Sequence, residues 1–315
     1  MQPGRTTTTT ARAVGFTAPG DADALRVVDV PVPDPGPEEV LVRVAAAAVH
    51  PSDIAVRAGA MPIAGPPPHV PGMAFAGVVE QAGEGSRWHP GDRVMGMALP
   101  SSPYGGAYRE RLVTADDTLG AVPETVDLAV AATLPMNGHT AAQALRVLEL
   151  PAGSTVVVTG AAGALGALFV PLAVAAGLRV IGVCGDTDRW DVLGRGASSV
   201  LTRGDDLPGR LLAHTGGQVD AVVDLAVTDG ELLAAIRPGG VLVTVRGWRG
   251  PDDCPVRVAP VMVPAEWHSG SRLEQFTDPR YLTRPVERFA PEAAPDAHRR
   301  VGAGGLRAGV VIDFT

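Results

Sequence analysis

The sequence predicts an α/β protein in which a strand-rich N-terminal domain precedes a doubly wound parallel sheet, and three observations predict it. Strand and turn signals fill residues 11–97 with almost no helical periodicity. Strands and helices then alternate through residues 154–245. At the start of that alternation, a glycine-rich turn stands between a β-branched strand and an apolar helix, in STVVVTGAAGALGALFVPLAVAA at residues 154–176.

The bulk composition favours an ordinary globular protein of two domains. The chain has 315 residues, of which 46% are hydrophobic. Its formal net charge of −8 disfavours nucleic acid or an anionic membrane surface as a partner. No apolar run is long enough to span a membrane, and residues 6–10 resemble a disordered leader rather than a signal peptide, so we expect a cytoplasmic protein. The two cysteines give no metal-binding cluster.

The N-terminal third predicts strands separated by Pro-Gly turns. Strand patterns cover residues 11–16, 25–33 and 38–49, and then 73–85 and 89–97 on either side of a turn. Between these two groups, residues 50–59 read as a turn followed by a short helix, which Ser52 or Asp53 could cap.

The rest of the chain predicts helices first and then the alternating region. Residues 127–134 and 140–148 have helical periodicity and lead into the glycine turn. Strands are predicted at residues 155–159, 179–184, 199–201, 220–225, 241–245 and 256–263, with helices near 163–176, 187–194, 205–214 and 229–236. A last helix at 291–301 and a strand at 309–314 predict a return to the first domain. We therefore expect a discontinuous domain of residues 1–122 and 265–315 around a second domain of residues 123–264.

The glycine turn predicts a dinucleotide site. Gly160, Gly163 and Gly166 lack Cβ atoms where the chain must turn tightly, approach a pyrophosphate and pack against the strand. Ala161, Ala164 and Leu165 complete the turn, and the helix that follows would offer its free N–H groups to the pyrophosphate. The alternative is a glycine-rich connection without a ligand.

Several segments together resemble the zinc-independent quinone oxidoreductase and enoyl reductase branch of the medium-chain dehydrogenase/reductase superfamily. They keep the family order and read PEEVLVRVAAAAVHPSD, PHVPGMAFAGVVEQAGEG, PGDRVMGM, GGAYRERLV, AATLPMNGHTAAQAL, STVVVTGAAGALG and RFAPEAAPDAHRRV. The resemblance implies a GroES-like substrate domain, a Rossmann domain, a cleft between them and hydride transfer from a nicotinamide.

The cofactor that the resemblance implies is NADPH. An acidic residue at the end of the second strand would bind the ribose of NAD, but Cys184 and Gly185 stand there. Arg189 matches a basic residue that contacts the 2′-phosphate in the family, and Arg203 is a second candidate contact. In the alternative, Arg189 is a solvated helix residue paired with a nearby aspartate.

Other site residues are implied by the same resemblance. Thr140 matches a threonine near the nicotinamide ribose, although it could instead cap a helix, and Asn137 lies close by in sequence. The cofactor set implied by the family is completed by Leu225, Val245 and Arg246.

The substrate side departs from both branches of the superfamily. His50 stands where zinc enzymes have Cys and quinone reductases often have Asn, and Met73-Ala74 replaces a His-Glu zinc pair. No catalytic zinc is therefore expected. A family Gly-Lys pair is matched by Ala308-Gly309, and a family glycine is matched by Arg246.

Two side chains are candidates for catalysis. His50 could bind a carbonyl oxygen or deliver a proton, or could be a structural histidine. Tyr104, beside a Gly-Gly turn, is a weaker candidate for a catalytic acid.

These residues lead to two hypotheses. The first is an NADPH-dependent reductase of a quinone or of a double bond conjugated to a carbonyl, which acts on a small molecule without a metal. The second is an NADPH-binding protein without redox turnover, or a redox-neutral enzyme on the same fold. In either case family members commonly pair through the outer edge of the Rossmann sheet, so we expect a homodimer through residues 256–263, although prolines interrupt that strand.

Overall fold

The computed structural model describes residues 9–63, 65–263 and 266–315, and these residues form two compact units. The first unit contains the chain up to Met136 together with Trp267–Thr277 and Pro285–Thr315. The second contains Asn137–Glu266 and Asp278–Arg284. Helix α3 (Leu134–Leu148) begins in the first unit and continues into the second. The predicted boundary at 264/265 and most of the predicted leader lie outside the described residues, and the predicted domain limits stay a prediction.

The first unit is rich in strands, as predicted, and its described strand pairs are antiparallel except for one parallel pair near the C-terminus. Strands β1 (Thr10–Gly15) and β2 (Arg26–Pro31) pair with each other. A larger sheet of described residues has the strand order β14-β15-β3-β4-β5-β7, with β6 paired to β3. Its strands are β3 (Glu39–Ala48), β4 (Ala74–Ala82), β5 (Arg93–Met97), β6 (Arg111–Ala115), β7 (Leu119–Ala121), β14 (Val286–Phe289) and β15 (Gly309–Asp313).

Short helices complete the first unit. They are α1 (Pro51–Arg57), α2 (Leu128–Ala132) and α7 (Ala294–Gly302), together with 3-10 turns at Ala22–Ala24, Asp116–Thr118, Gly270–Thr277 and Pro291–Ala293. The C-terminal strand β15 pairs antiparallel with β3, so the end of the chain belongs to the first unit.

The second unit is a parallel sheet with the order β10-β9-β8-β11-β12-β13. This is the strand order of a Rossmann fold, in which the direction of winding reverses beside the first strand. Its strands are β8 (Thr155–Thr159), β9 (Arg179–Cys184), β10 (Ser199–Thr202), β11 (Val219–Asp224), β12 (Ile236–Val245) and β13 (Arg257–Val261), and its helices are α4 (Ala164–Ala175), α5 (Arg189–Gly194) and α6 (Leu207–Thr215). Short 3-10 turns lie at Asp186–Asp188 and Pro279–Tyr281.

The core of this unit explains why the strands read as continuous apolar runs. Val156, Val157 and Val158 in the middle of the sheet are fully buried because helices cover both faces. One face packs Val157, Val222 and Leu242 against Leu211 of α6.

Two predicted helices differ from the structure. Residues 134–148 form one helix rather than two segments, because Asn137, Gly138 and His139 continue the helical backbone. The predicted helix at 229–236 is a 3-10 helix, Asp229–Ala235, and Ile236 already begins β12.

Candidate active site

The glycine turn lies between β8 and α4, as predicted. Gly160 adopts a left-handed conformation with φ of 61°, which favours glycine. A Cβ atom on Gly166 would lie 2.5 Å from the carbonyl oxygens of both Gly160 and Ala161. A side chain at residue 166 would therefore push the helix away from the turn.

The N-terminus of α4 fits the pyrophosphate of a dinucleotide. Gly163 is the N-cap and places no side chain over the helix end. Ala164, Leu165 and Gly166 belong to the first turn, whose N–H groups have no carbonyl partner within a helix. These N–H groups and the positive end of the helix dipole would hold the pyrophosphate, because both favour an anion at this position.

The register of the sheet brings several predicted cofactor residues to one edge. Thr159, Asp224 and Thr244 are level with one another on β8, β11 and β12. Gly160, Leu225 and Val245 follow these three residues, so they share the carboxyl edge of the sheet, where α/β folds bind ligands. A Cβ on Gly160 would lie 3.3 Å from the carbonyl carbon of Leu225.

The two predicted 2′-phosphate contacts lie outside the turn after β9: Arg189 begins α5 and Arg203 follows β10. The guanidinium of Arg203 lies beside Gly185, since a Cβ on Gly185 would be 3.8 Å from Nη2 of Arg203 and 3.3 Å from Oδ2 of Asp188. Arg189 is exposed on the first residue of α5. The carboxylate of Asp188 and the guanidinium of Arg203 therefore both lie beside Gly185, with the carboxylate the closer of the two.

The remaining predicted cofactor residues lie on α3 and after β12. Asn137 and Thr140 are three residues apart within α3, so they lie on the same side of that helix, and Thr140 is in its interior rather than at a cap. Arg246 has φ of 72°, a left-handed conformation. A glycine would suit that position because a residue without a Cβ atom adopts this conformation without steric strain.

Three residues near the glycine turn were not predicted. Asp224 is buried and accepts hydrogen bonds from Oγ1 of Thr159 at 2.6 Å and from the backbone N–H of Asp229 at 2.7 Å, which fixes the loop after β11. Arg195 donates to the carbonyl oxygen of Ala161 at 3.1 Å, and Arg284 donates to that of Ala162 at 3.0 Å. Burial lowers the pKa of both guanidinium groups, and the nearby Arg195 lowers that of Arg284 further.

His50 lies at the junction of β3 and α1 in the first unit and is mostly buried. Its backbone N–H donates to Oδ2 of Asp53 at 2.8 Å, and this bond fixes the turn. The N-cap of α1 is His50, so the predicted cap at Ser52 or Asp53 is wrong: both residues already lie in the first turn of the helix. The same Oδ2 atom lies 3.6 Å from Nδ1 of the His50 ring.

Tyr104 is not grouped with His50. Its hydroxyl donates to Oε2 of Glu39 at 3.0 Å. Burial, and then the Glu39 carboxylate, raise the pKa of this phenol. Glu39 begins β3 whereas His50 follows the end of that strand, so the two predicted catalytic side chains have separate partners.

The positions that hold zinc in the zinc-dependent enzymes do not carry side chains that together could bind zinc. Met73 and Ala74 are buried, and the alanine methyl group offers no ligand atom. Across residues 9–63, 65–263 and 266–315, no group of three or more His, Cys, Asp or Glu side chains is arranged to hold a metal. Nor does any helix within those ranges have the length and apolar character to cross a membrane.

Comparison with known proteins relates these features to one family. Residues 36–127 match the alcohol dehydrogenase GroES-like domain. The quinone oxidoreductase of Mus musculus is 32% identical over 234 residues, which are 71% of this chain and 69% of the mouse protein. The quinone oxidoreductase structure from Coxiella burnetii superposes with a TM-score of 0.81 at 26% identity and covers 98% of this chain and 100% of its own. A mycobacterial protein solved with NADPH has a TM-score of 0.82 at 27% identity, with 96% and 99% of the two chains covered.

Proposed function

We propose, because this chain belongs to the quinone oxidoreductase family of the medium-chain dehydrogenase/reductase superfamily, that it is an NADPH-dependent reductase of quinones or of double bonds conjugated to a carbonyl. The observation that carries the proposal is the glycine turn, where a Cβ at Gly166 would strike two carbonyl oxygens at the mouth of α4. This geometry suits the close approach of a pyrophosphate.

The choice of NADPH is supported by the turn after β9. Gly185 stands at the position where an acidic side chain would bind the ribose of NAD, the Arg203 guanidinium and the Asp188 carboxylate lie beside it, and Arg189 follows on α5. A guanidinium binds a phosphate through charge-assisted hydrogen bonds. The mycobacterial relative solved with NADPH is consistent with this choice.

NADPH, when bound, supplies a hydride to the substrate. As the hydride bonds to the β-carbon, the π pair of the double bond moves through the conjugated system to the carbonyl oxygen. A proton from solvent or from His50 then completes the reduction. His50 would donate a hydrogen bond to that oxygen, where negative charge develops.

Metal independence belongs to the same proposal. The substrate's own conjugation accepts the electron pair, and Met73 and Ala74 leave the zinc positions without a usable donor set. Activity should therefore survive dialysis against a strong chelator, whereas stoichiometric zinc in the purified protein would contradict this part. The predicted cytoplasmic location is also part of the proposal and rests on the sequence alone.

The test is steady-state oxidation of NADPH with a panel of quinones, enones and enoyl thioesters. Turnover with at least one class supports the proposal and names the substrate class. The second candidate is an NADPH-binding protein without redox turnover, which the replacement of the family's Gly-Lys pair by Ala308-Gly309 favours. Tight NADPH binding without oxidation in any assay would decide for that candidate.

A further inference from the structure

The glycine turn is held by two arginines that are distant from it in the sequence. Nη1 of Arg195, the residue at the C-cap of α5, donates to the carbonyl oxygen of Ala161 at 3.1 Å. Nη1 of Arg284, at the end of the 278–284 stretch, donates to the carbonyl oxygen of Ala162 at 3.0 Å. Two consecutive carbonyl groups of the turn are therefore fixed by side chains 34 and 122 residues away.

Peptide geometry shows what these two bonds leave for a ligand. In a planar trans peptide the N–H group points opposite to the carbonyl group. The N–H of Gly163 therefore points away from Arg284, and it closes the turn by donating to the carbonyl oxygen of Gly160 at 2.9 Å. The N–H of Ala162 points away from Arg195 and has no acceptor among the residues that the structure describes. This donor is left for a ligand on the side of the turn that the Arg195 guanidinium does not occupy.

The two guanidinium groups are buried charges that lie near each other. The Arg195 side chain is 6% exposed, and its Nη2 atom lies 2.6 Å from Oδ2 of Asp191. Burial lowers the pKa of both arginines, and the charge of Arg195 lowers the pKa of Arg284 further, although Asp191 and Asp188 raise it in part. Like charges in a buried place disfavour each other, so an anion bound at the turn would stabilise both.

The stretch that ends at Arg284 also contacts the helix that follows the turn. Its 3-10 turn, Pro279–Tyr281, packs against α4, and the Tyr281 side chain is buried. Asp278 caps this 3-10 turn by accepting the backbone N–H of Arg280 at 3.0 Å. The cap and the packing together place Arg284 at the glycine turn.

We propose that Arg195 and Arg284 are positioning residues for the cofactor pyrophosphate. They hold two carbonyl groups of the glycine turn, and their positive charges stabilise an anion at the N–H groups of the same turn. The proposal rests on the proposed function for the identity of that anion, the pyrophosphate of NADPH. It makes cofactor affinity depend on two side chains that act through the backbone of the turn.

The first test compares NADPH with 2′-AMP, which has the adenine, the ribose and the 2′-phosphate but no pyrophosphate. Arg195→Gln and Arg284→Gln should each weaken NADPH binding roughly tenfold, because a charged donor is lost beside the turn. Both variants should bind 2′-AMP as the wild type does. Unchanged affinity for NADPH, or equal losses for the two ligands, would overturn the proposal.

Two further variants separate charge and general destabilisation from this effect. Arg284→Lys keeps a positive donor and should bind NADPH more tightly than Arg284→Gln. Arg257→Gln is the matched control, since Nη2 of Arg257 donates to the carbonyl oxygen of Val147 at 2.8 Å and Arg257 begins β13, away from the carboxyl edge of the sheet. Its affinity for NADPH should equal that of the wild type. A loss as large as in Arg284→Gln would mean general destabilisation and overturn the proposal.

Hydrogen exchange of the Gly163 amide tests the turn without any cofactor. Exchange should be faster in Arg284→Gln than in the wild type, because the bond from Gly163 to Gly160 opens more often, while the amides of β8 exchange as before. Mass spectrometry or NMR measures these rates. An unchanged rate at Gly163 would overturn the positioning role. If the wild type binds no NADPH, the proposed function fails, while faster exchange in the variant still supports the positioning of the turn by Arg284.

Discussion

At the level of single residues, a side chain at Gly166 would collide with the backbone of the turn that precedes α4. A Cβ at this residue would meet two backbone oxygens at 2.5 Å, which no rotamer change relieves. Gly166→Ala should lower the free energy of unfolding by about 1–3 kcal/mol and weaken NADPH binding at least tenfold, because α4 must move from the turn. Chemical unfolding and fluorescence titration measure the two effects.

Gly194 in α5 is the matched control for that change. A Cβ there meets nothing within 4 Å, and alanine is the better helix former. Gly194→Ala should leave both quantities unchanged or raise stability slightly. Similar losses in the two variants would show that the close contact at Gly166 is unimportant.

Arg189 gives the sharpest test of cofactor preference. Arg189→Ala should weaken NADPH binding by about 1.5–3 kcal/mol and leave NADH binding nearly unchanged, because NADH has no 2′-phosphate. Arg203→Ala should act in the same direction, since its guanidinium lies beside Gly185. Isothermal titration calorimetry with both cofactors measures the two affinities. Equal losses of affinity for NADPH and NADH would contradict the assignment of Arg189 to the 2′-phosphate.

Local sequence was enough to predict some residues of the site and not others. The glycine turn follows from neighbours within a few positions. Arg284 reaches Ala162 across 122 residues, and Tyr108 meets His298 across 190 residues. No local periodicity records such contacts, because they depend on how the tail packs after the sheets have formed.

At the level of elements, α7 contributes a buried histidine that makes stability depend on pH. Burial lowers the pKa of His298 from the ordinary value of 6.5 to about 4. Above the ordinary pKa value, the His298 ring is neutral in both the folded and the unfolded chain, so it costs no stability. As the pH falls toward 4, the unfolded chain binds a proton that the folded chain does not, so stability falls.

The expected size of this effect follows from the shift. Wild type should lose about 2–3 kcal/mol of unfolding free energy between about pH 7 and about pH 4.5 relative to His298→Gln, which lacks the titrating ring. Urea unfolding at both pH values gives the difference. Parallel losses in wild type and variant would mean that His298 is not the group responsible.

Elements were predicted well where their burial pattern is simple. The valine run of β8 identifies its strand directly, whereas β12 begins at Ile236, five residues before the predicted start at residue 241. The predicted break near residues 135–139 was wrong, since Pro135 lies in the first turn of α3, where its missing N–H costs little. Gly138 is tolerated within the helix for lack of a competing turn.

At the level of the whole molecule, β13 is one of the two edge strands of the parallel sheet among the described strands, and β10 is the other. The segment at residues 256–263 through which we expect a homodimer is rich in valine, but Val261 and Val263 are buried within the protomer. What the edge offers a second copy is backbone and the Met262 side chain, which is 52% exposed. We still propose a dimer, since pairing of this edge with a second copy would cover the exposed backbone and the Met262 side chain.

Light scattering at micromolar concentration should therefore give twice the chain mass of 32.2 kDa. Met262→Lys should shift the protein toward the monomer, because a charge would have to be buried beside the edge. Trp190→Lys is the matched control, since Trp190 on α5 is 80% exposed and lies away from β13 in the sheet order. A wild-type protein with the mass of one chain would end the dimer proposal.

The return of residues 278–284 to the second unit matters for recombination between relatives. A chimera that exchanges residues 137–266 replaces the glycine turn but retains the recipient's 278–284 stretch. Arg284 and the 3-10 turn would then come from one parent, whereas their partners Ala162 and α4 would come from the other. Crossover libraries that aim to transplant cofactor preference should carry this seven-residue stretch as a second inherited fragment.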